Sequence, residues 1–366
     1  MISKLNLNPR LISLHLGLIF LGALGGLVAK WLGLPLPFIL GSMLIVAVAT
    51  LISENTVRDP EKALLPPGFR FNERFRAIFI GAIGMAIGTR ITVDVLETLD
   101  AAIFSFIALT LFVPLTYWVN YHIFRRIGGY DHPTSMFSSM PGGLYEAILY
   151  GERYNADMRL LTLAQFMRII MVVTLLPIGM SIYVGHPVGS SGGLSLSASD
   201  AGLEHIPAAA LVVLLGLVIG NRLRVPAGQL LGPLILGAIV TLSGLAVLDL
   251  PAWVLSAAQI VIGTTLGTRF AGIRPIMLVR GTGLGLLSVG AMLLIGLLMG
   301  LVLHPLTGEG FDVLLISFAP GGVTEMALIA LSLNANPAFV TLHHLYRIIL
   351  TVVFLNHVSK RVQPGD

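Results

Sequence analysis

Two short motifs in this chain could do chemistry. Pro141-Gly142-Gly143-Leu144-Tyr145-Glu146 is matched later by Pro320-Gly321-Gly322-Val323-Thr324-Glu325, and each copy is followed by an arginine, Arg168 or Arg347, in an apolar stretch. Glycine allows a turn and lets backbone face a cavity without side-chain obstruction. Proline removes a donor that the start of a helix would leave unpaired. The helix after each motif therefore offers N–H groups and a positive dipole end to an anion, while the helix before it offers carbonyls to a cation. Pro141, Gly142, Gly143 and Pro320, Gly321, Gly322 are the candidate substrate site. Glu146 and Glu325 stand in the first turn of the following helices. A carboxylate at membrane depth is costly, which points to a proton or sodium site, but a Glu placed here also acts as a helix cap. Arg168 and Arg347 would lose much of their burial cost by pairing with Glu146 and Glu325. Such pairs are either purely structural or part of a gate or substrate site. Gln165 aligns with His344 and Ala164 with His343. A histidine in a span either titrates or packs against a neighbouring helix.

These residues sit in a chain of 366 residues that is 55% hydrophobic and 11% charged, with a mean hydropathy of +0.90. Soluble chains carry about 25% charge. Apolar stretches of about 20 residues recur throughout, each enough to cross about 30 Å of hydrocarbon. The implied class is an all-α integral membrane protein whose solvent is the lipid bilayer. The formal charge of +4 comes from basic residues set singly and in pairs. That pattern fits cytoplasmic loops and not direct nucleic-acid binding. There are no cysteines, so disulfides, thiolate metal sites and a cysteine nucleophile are excluded. No cofactor, metal or catalytic residue is indicated, because the nine histidines are dispersed except for His343-His344. The first apolar segment reads as a retained span.

The two motifs belong to a longer duplication. Pro320 lies 179 residues after Pro141, and the same offset carries Gly88-Thr89-Arg90 onto Gly267-Thr268-Arg269 and Arg168-Ile169-Ile170 onto Arg347-Ile348-Ile349. Upstream the offset is 191, carrying Pro35 onto Pro226 and Leu40-Gly41 onto Leu231-Gly232. The organisation expected is a first membrane repeat at 1–184, a linker at 185–206 and a second repeat at 207–366. Spans are expected near 12–32, 36–53, 76–92, 101–124 and 158–184, with a broken segment near 133–155. In the second half they fall near 207–222, 227–246, 253–268, 280–303 and 337–357, with a broken segment near 312–334. Glycine runs such as Gly22, Gly25 and Gly26, or Gly281, Gly283 and Gly285, point to close helix packing.

The arms of the first broken segment, Thr134 to Met140 and Leu144 to Asn155, are about 10 and 18 Å long, so neither spans alone. They stack into one discontinuous crossing or fold back as a re-entrant hairpin. With the N-terminus inside, folding back places Arg125-Arg126, Arg153, Arg222, Arg269 and Lys360 in the cytoplasm and the linker, free of Lys and Arg, outside. That favours two inverted repeats of about five transmembrane helices, each with a Pro-Gly-Gly hairpin, and both termini cytoplasmic.

The paired Pro-Gly-Gly-x-x-Glu motifs, each followed by Arg in the next span, resemble the bacterial AbrB-type membrane protein family. So does the pattern opening each half, Leu34-Pro35…Leu40-Gly41 and Val225-Pro226…Leu231-Gly232. That family is similar to the cation/proton antiporter and anion transporter superfamily, whose members use inverted repeats and broken helices. Its members also carry the labels ammonia monooxygenase and transcriptional regulator. The expectation is an ion-coupled secondary transporter in the bacterial inner membrane, using alternating access to move a small charged solute with H+ or Na+. Inverted repeats broken at corresponding positions point to a mid-membrane site. A membrane sensor that alters gene expression indirectly is the alternative, followed by a membrane oxygenase. Oligomeric state stays open, a homodimer included.

Overall fold

The architecture is taken from a computed structural model that describes residues 9–56, 65–66, 69, 71–91, 102–186, 203–223, 227–271, 275–333 and 335–359. Most of the expected linker (187–202), part of the loop near 54–75, the Val225-Pro226 pair and the C-terminal basic residues lie outside them. Among the described residues there are fourteen α-helices and no strand. In the first half these are α1 (Pro9–Trp31), α2 (Pro37–Thr56), α3 (Glu73–Gly88), α4 (Ala102–His122), α5 (His132–Ser138), α6 (Leu144–Arg153) and α7 (Met158–Val184). In the second they are α8 (Ile206–Arg222), α9 (Gly228–Leu242), α10 (Ala252–Gly267), α11 (Pro275–Thr307), α12 (Phe311–Phe318), α13 (Val323–Ser332) and α14 (Pro337–Ser359). Six helices among the described residues are long and apolar enough to cross a membrane.

The duplication is written into the helix ends. The bounds of α3 and α10 coincide at the 179-residue offset, as do those of α6 and α13 and the starts of α7 and α14. Local chemistry explains why. Asp157 accepts from the amides of Arg159 and Leu160 at 2.9 and 3.2 Å to start α7. Asn336 accepts from Phe339 at 3.1 Å at the equivalent place before α14. Side-chain oxygens there satisfy donors that a helix start leaves open. One expected span was too short: α11 runs from Pro275 to Thr307, not 280–303. A proline in the first turn costs no helix hydrogen bond, so α11 begins at the proline and not at the apolar run after it.

Helix packing crosses between the halves. α1 packs on α2, and both receive α10 from the second half; α8 packs on α9, and both receive α3 from the first. The contacts are backbone on backbone. A Cβ on Gly25 would strike the Gly41 carbonyl, and the equivalent pair in the second half is Gly216 and Gly232. Likewise a Cβ on Gly84 or Gly88 of α3 would strike the Leu230 or Leu234 carbonyl, and one on Gly263 or Gly267 of α10 the Ile39 or Met43 carbonyl. In a bilayer, where apolar burial drives little association, such close approach is what holds helices together. Gly281 and Gly285 of α11 pack against Leu163 and Met167, whereas Gly283 faces open space and is not a packing glycine. The remaining helices, α4 to α7 and α11 to α14, form a second body, with α4 on α11 and α14, and α7 on α11. Large exposed apolar side chains such as Phe20, Leu111 and Ile182 cover the outside.

Candidate functional site

The chain between α5 and α6 is Ser139 to Gly143, and the chain between α12 and α13 is Ala319 to Gly322. α5 and α6 both pack on α7, and α12 and α13 both pack on α14. Gly143 has φ +61°, a left-handed conformation in which a Cβ would clash with backbone. Thus each motif joins two helices that rest on the long helix following them, and that helix carries the arginine.

The open carbonyls ending the first arm of each pair are met by side chains from that long helix. Gln165 Nε2 donates to the Phe137 carbonyl at 2.8 Å, and His344 Nε2 donates to the equivalent Ile316 carbonyl at 3.0 Å. One turn on, Arg168 donates to the Met140 carbonyl and Arg347 to the equivalent Ala319 carbonyl. Helices end with unpaired carbonyls, and burial here requires that something bind them. The residue pairs 165/168 and 344/347 sit three apart, on one face of a helix, which aims both donors at one helix end.

The halves then diverge. Arg347 also donates through Nη2 to the Gly321 carbonyl at 2.7 Å and to His344 Nδ1 at 2.8 Å. His344 thereby accepts at Nδ1 and donates at Nε2, which defines its tautomer as the neutral Nε2–H form. Arg347 also faces the other motif. A Cβ on Gly142 would lie 3.8 Å from Arg347 Nε and 3.1 Å from Thr351 Oγ1. The first Pro-Gly-Gly tip is therefore seated on α14 at the arginine that binds the second tip. Arg168 bonds Met140 and Arg347 lies against Gly142, so the two guanidiniums meet the same tip two residues apart.

Neither arginine pairs with Glu146 or Glu325; among the described residues the ion pairs lie elsewhere, as in Arg76 with Glu73 at 2.6 Å. The pairing considered from sequence is replaced by arginine–carbonyl bonds, because both arginines point back at the helix end beneath them. Glu146 folds toward Gly143, its Oε2 lying 3.2 Å from where a Cβ there would be, and Glu325 folds over Gly322 in the same way. Glu325 bonds its own backbone N–H and lies within electrostatic reach of Arg76. Both carboxylates thus stand at the tips, Glu325 bonded to backbone and Glu146 leaning toward Gly143. The adjacent His343 stacks between Phe106 and Phe339, with ring centroids at 4.4 and 4.1 Å, and meets Ser105 Oγ at 2.7 Å.

Three groups were not singled out by sequence. Thr351 is one turn from Arg347 on α14, a spacing that would have flagged it. Arg76 aligns with Leu255 at the 179 offset, so the repeat gave no signal for it. Asn120 Oδ1 accepts from Ser288 Oγ at 2.5 Å, a buried polar bond between α4 and α11 whose partners have no polar counterpart in the other half.

Comparison with known proteins decides the family. The family model described as "Transition state regulatory protein AbrB" matches residues 62–363. The chain belongs to the AbrB family. Two relatives share most of the AbrB-family chain. "Uncharacterized protein YhjN" of Bacillus subtilis (strain 168) is 26% identical over 355 residues, covering 92% of this chain and 90% of its own. "Putative regulator AbrB" of Escherichia coli (strain K12) is 26% identical over 312 residues, covering 82% and 89%. The matched region of the AbrB model contains both Pro-Gly-Gly motifs, both glutamates and both arginines.

Proposed function

We propose that this AbrB-family protein is an ion-coupled secondary transporter of the bacterial cytoplasmic membrane, working by alternating access at the two Pro-Gly-Gly breaks. The observation that carries this reading is the seating of the Gly142 tip on Arg347, the residue that holds the Ala319 and Gly321 carbonyls of the other tip. Irregular backbone at membrane depth is tolerated where it is buried in protein or lines a cavity. Broken helices at corresponding places in two repeats are the usual construction of a transport site.

In this reading each broken pair is a re-entrant hairpin, the halves are inverted, and both termini are cytoplasmic. The reciprocal exchange of α3 and α10 between halves, glycine for glycine, supports a two-fold relation of that kind. The body formed by α4 to α7 and α11 to α14 moves against the body formed by α1 to α3 and α8 to α10. Glu146 and Glu325 take the coupling H+ or Na+, opening from their cap positions. No chemical step is assigned to any residue.

The experiment is uptake into proteoliposomes under an imposed pH or Na+ gradient, using labelled amino acids, carboxylates and polyamines. Wild type is expected to accumulate one class in a gradient-dependent way. Glu146→Gln and Glu325→Gln are expected to reduce that accumulation by about tenfold or more, the equivalent of losing about 1.4 kcal/mol of ion binding. Uptake of nothing in the panel, or Gln variants that match wild type, would overturn the assignment. The names of the family and of the E. coli relative favour a second reading, a membrane sensor whose ligand binding acts on a regulatory partner. Ligand binding at the tips without flux would favour that reading.

A further inference from the structure

We propose that the substrate is a small organic anion whose carboxylate binds between Arg168 and Arg347, against the N-termini of α6 and α13. This deepens the transport reading and rests on the same site.

Arg168 and Arg347 are 6% and 1% exposed, and the Nε of each is buried without a hydrogen-bond partner. One N–H on each guanidinium has no acceptor, and Ser138 Oγ at the end of the first arm has no partner either. Leaving a buried donor unpaired costs roughly 1–3 kcal/mol, more when charged, so a matched pair of such donors calls for a ligand. On the second arginine the direction is visible: Arg347 Nε faces Gly142 of the first tip, with Thr351 Oγ1 beside it. Glycine at 142 keeps a side chain out of the space beside these two groups.

The charge balance points the same way. Both guanidiniums are met by carbonyls and, for Arg347, an imidazole nitrogen, not by carboxylates. Carbonyl dipoles satisfy donors without cancelling charge, and two like charges meeting one tip, at Met140 and at Gly142, attract an anion. The N-termini of α6 and α13, each ten residues long, begin at Gly143 and Gly322, neither of which supplies a side-chain cap. Their amides and dipoles add to the same preference once Glu146 and Glu325 open to take the coupling cation. Guanidinium N–H groups match a carboxylate in plane and spacing.

Glu146 and Glu325 are folded onto their own tips and make no ion pair with Arg168 or Arg347, so neither carboxylate neutralises the guanidiniums. The two cues separate by residue: glutamates for the coupling cation, arginines for the anionic cargo. In a low-dielectric site the second ion to bind finds its partner's charge already present, so each strengthens binding of the other. The two ions therefore bind cooperatively.

The test uses full-length purified protein in detergent, with thermal stability followed against acetate, succinate, citrate, phosphate and putrescine. At least one carboxylate is expected to stabilise wild type, with the midpoint for stabilisation shifted to about tenfold higher concentration or lost in Arg168→Gln and Arg347→Gln, as fits loss of a charged hydrogen bond. Should Arg347→Gln fail to give monodisperse protein, Arg168→Gln carries the test, since Arg168 makes a single carbonyl bond. Arg347→Lys, which keeps the charge but not the fork, is expected to weaken succinate without abolishing it. No response to any carboxylate, a response unchanged in the arginine variants, or a response to phosphate or putrescine in their place would overturn the proposal. Arginine-dependent binding of a carboxylate with no liposome flux would retain the anion site and remove the transporter reading. Putrescine flux indifferent to both arginines would do the reverse.

Discussion

Leucine at position 347 is expected to destabilise the protein by about 3–5 kcal/mol and to abolish uptake, whereas leucine at position 168 is expected to cost about 1–3 kcal/mol. Arg347 holds the Ala319 and Gly321 carbonyls and His344 Nδ1, three acceptors that leucine would strand in the protein interior. Arg168 holds the Met140 carbonyl alone. Removing a buried guanidinium also removes its own desolvation cost, so the difference between the two variants is the informative quantity. Apparent melting temperatures in one detergent, taken side by side, give that difference. Equal losses would mean that the bonds from Arg347 to the second tip carry no special weight.

The second large effect is expected at a helix contact far from the site. Valine at Gly41 should prevent assembly, because its Cβ would overlap the Gly25 carbonyl and carbonyl carbon. The obstacle is backbone, which cannot rotate aside, so α2 must separate from α1. Overpacking typically costs about 1–3 kcal/mol when side chains can yield, and more is expected where only a helix shift relieves it. Gly232→Val should fail in the same way, since its Cβ meets the Gly216 carbonyl in the other half. Gly283→Val is the control: it faces open space, and a change within about 0.5 kcal/mol is expected. Yield of monodisperse protein from membranes distinguishes them, and a well-assembled Gly41→Val protein would refute the packing described for α1 and α2.

The particular residues show what sequence makes readable in such a chain. The Pro-Gly-Gly-x-x-Glu spacing located the start of α6 at Leu144, because proline and glycine act on the backbone they occupy, while its end came at Arg153 and not Asn155. The placing of Arg168 and Arg347 inside long apolar helices was equally plain. Their partners were not, since a sequence states that an arginine is buried but not which way it points along its helix. The relevant clue was structural and general: a broken helix ends in open carbonyls, and a donor three or four residues before or after another on the next span can reach them. The exchange of α3 and α10 between halves was likewise hidden. Two repeats at fixed offsets say that equivalent helices exist, not that the third of each packs on the other half. Gly283 was misjudged because glycine spacing alone does not separate a helix face in contact from one turned away.

The inverted relation of the halves is the claim on which convergence of the two tips depends, and the chain is well suited to test it because it contains no cysteine. Ile127 and Leu306 occupy equivalent places at the 179 offset, and both are well exposed, at 65% and 56%. Single cysteines at these positions, treated with a membrane-impermeant thiol reagent in intact and in permeabilised spheroplasts, report which side each faces. Leu306→Cys is expected to react in intact spheroplasts and Ile127→Cys only after permeabilisation. Reaction of both from the same side would make the repeats parallel, bring the hairpins in from one face, and contradict the site proposed between them.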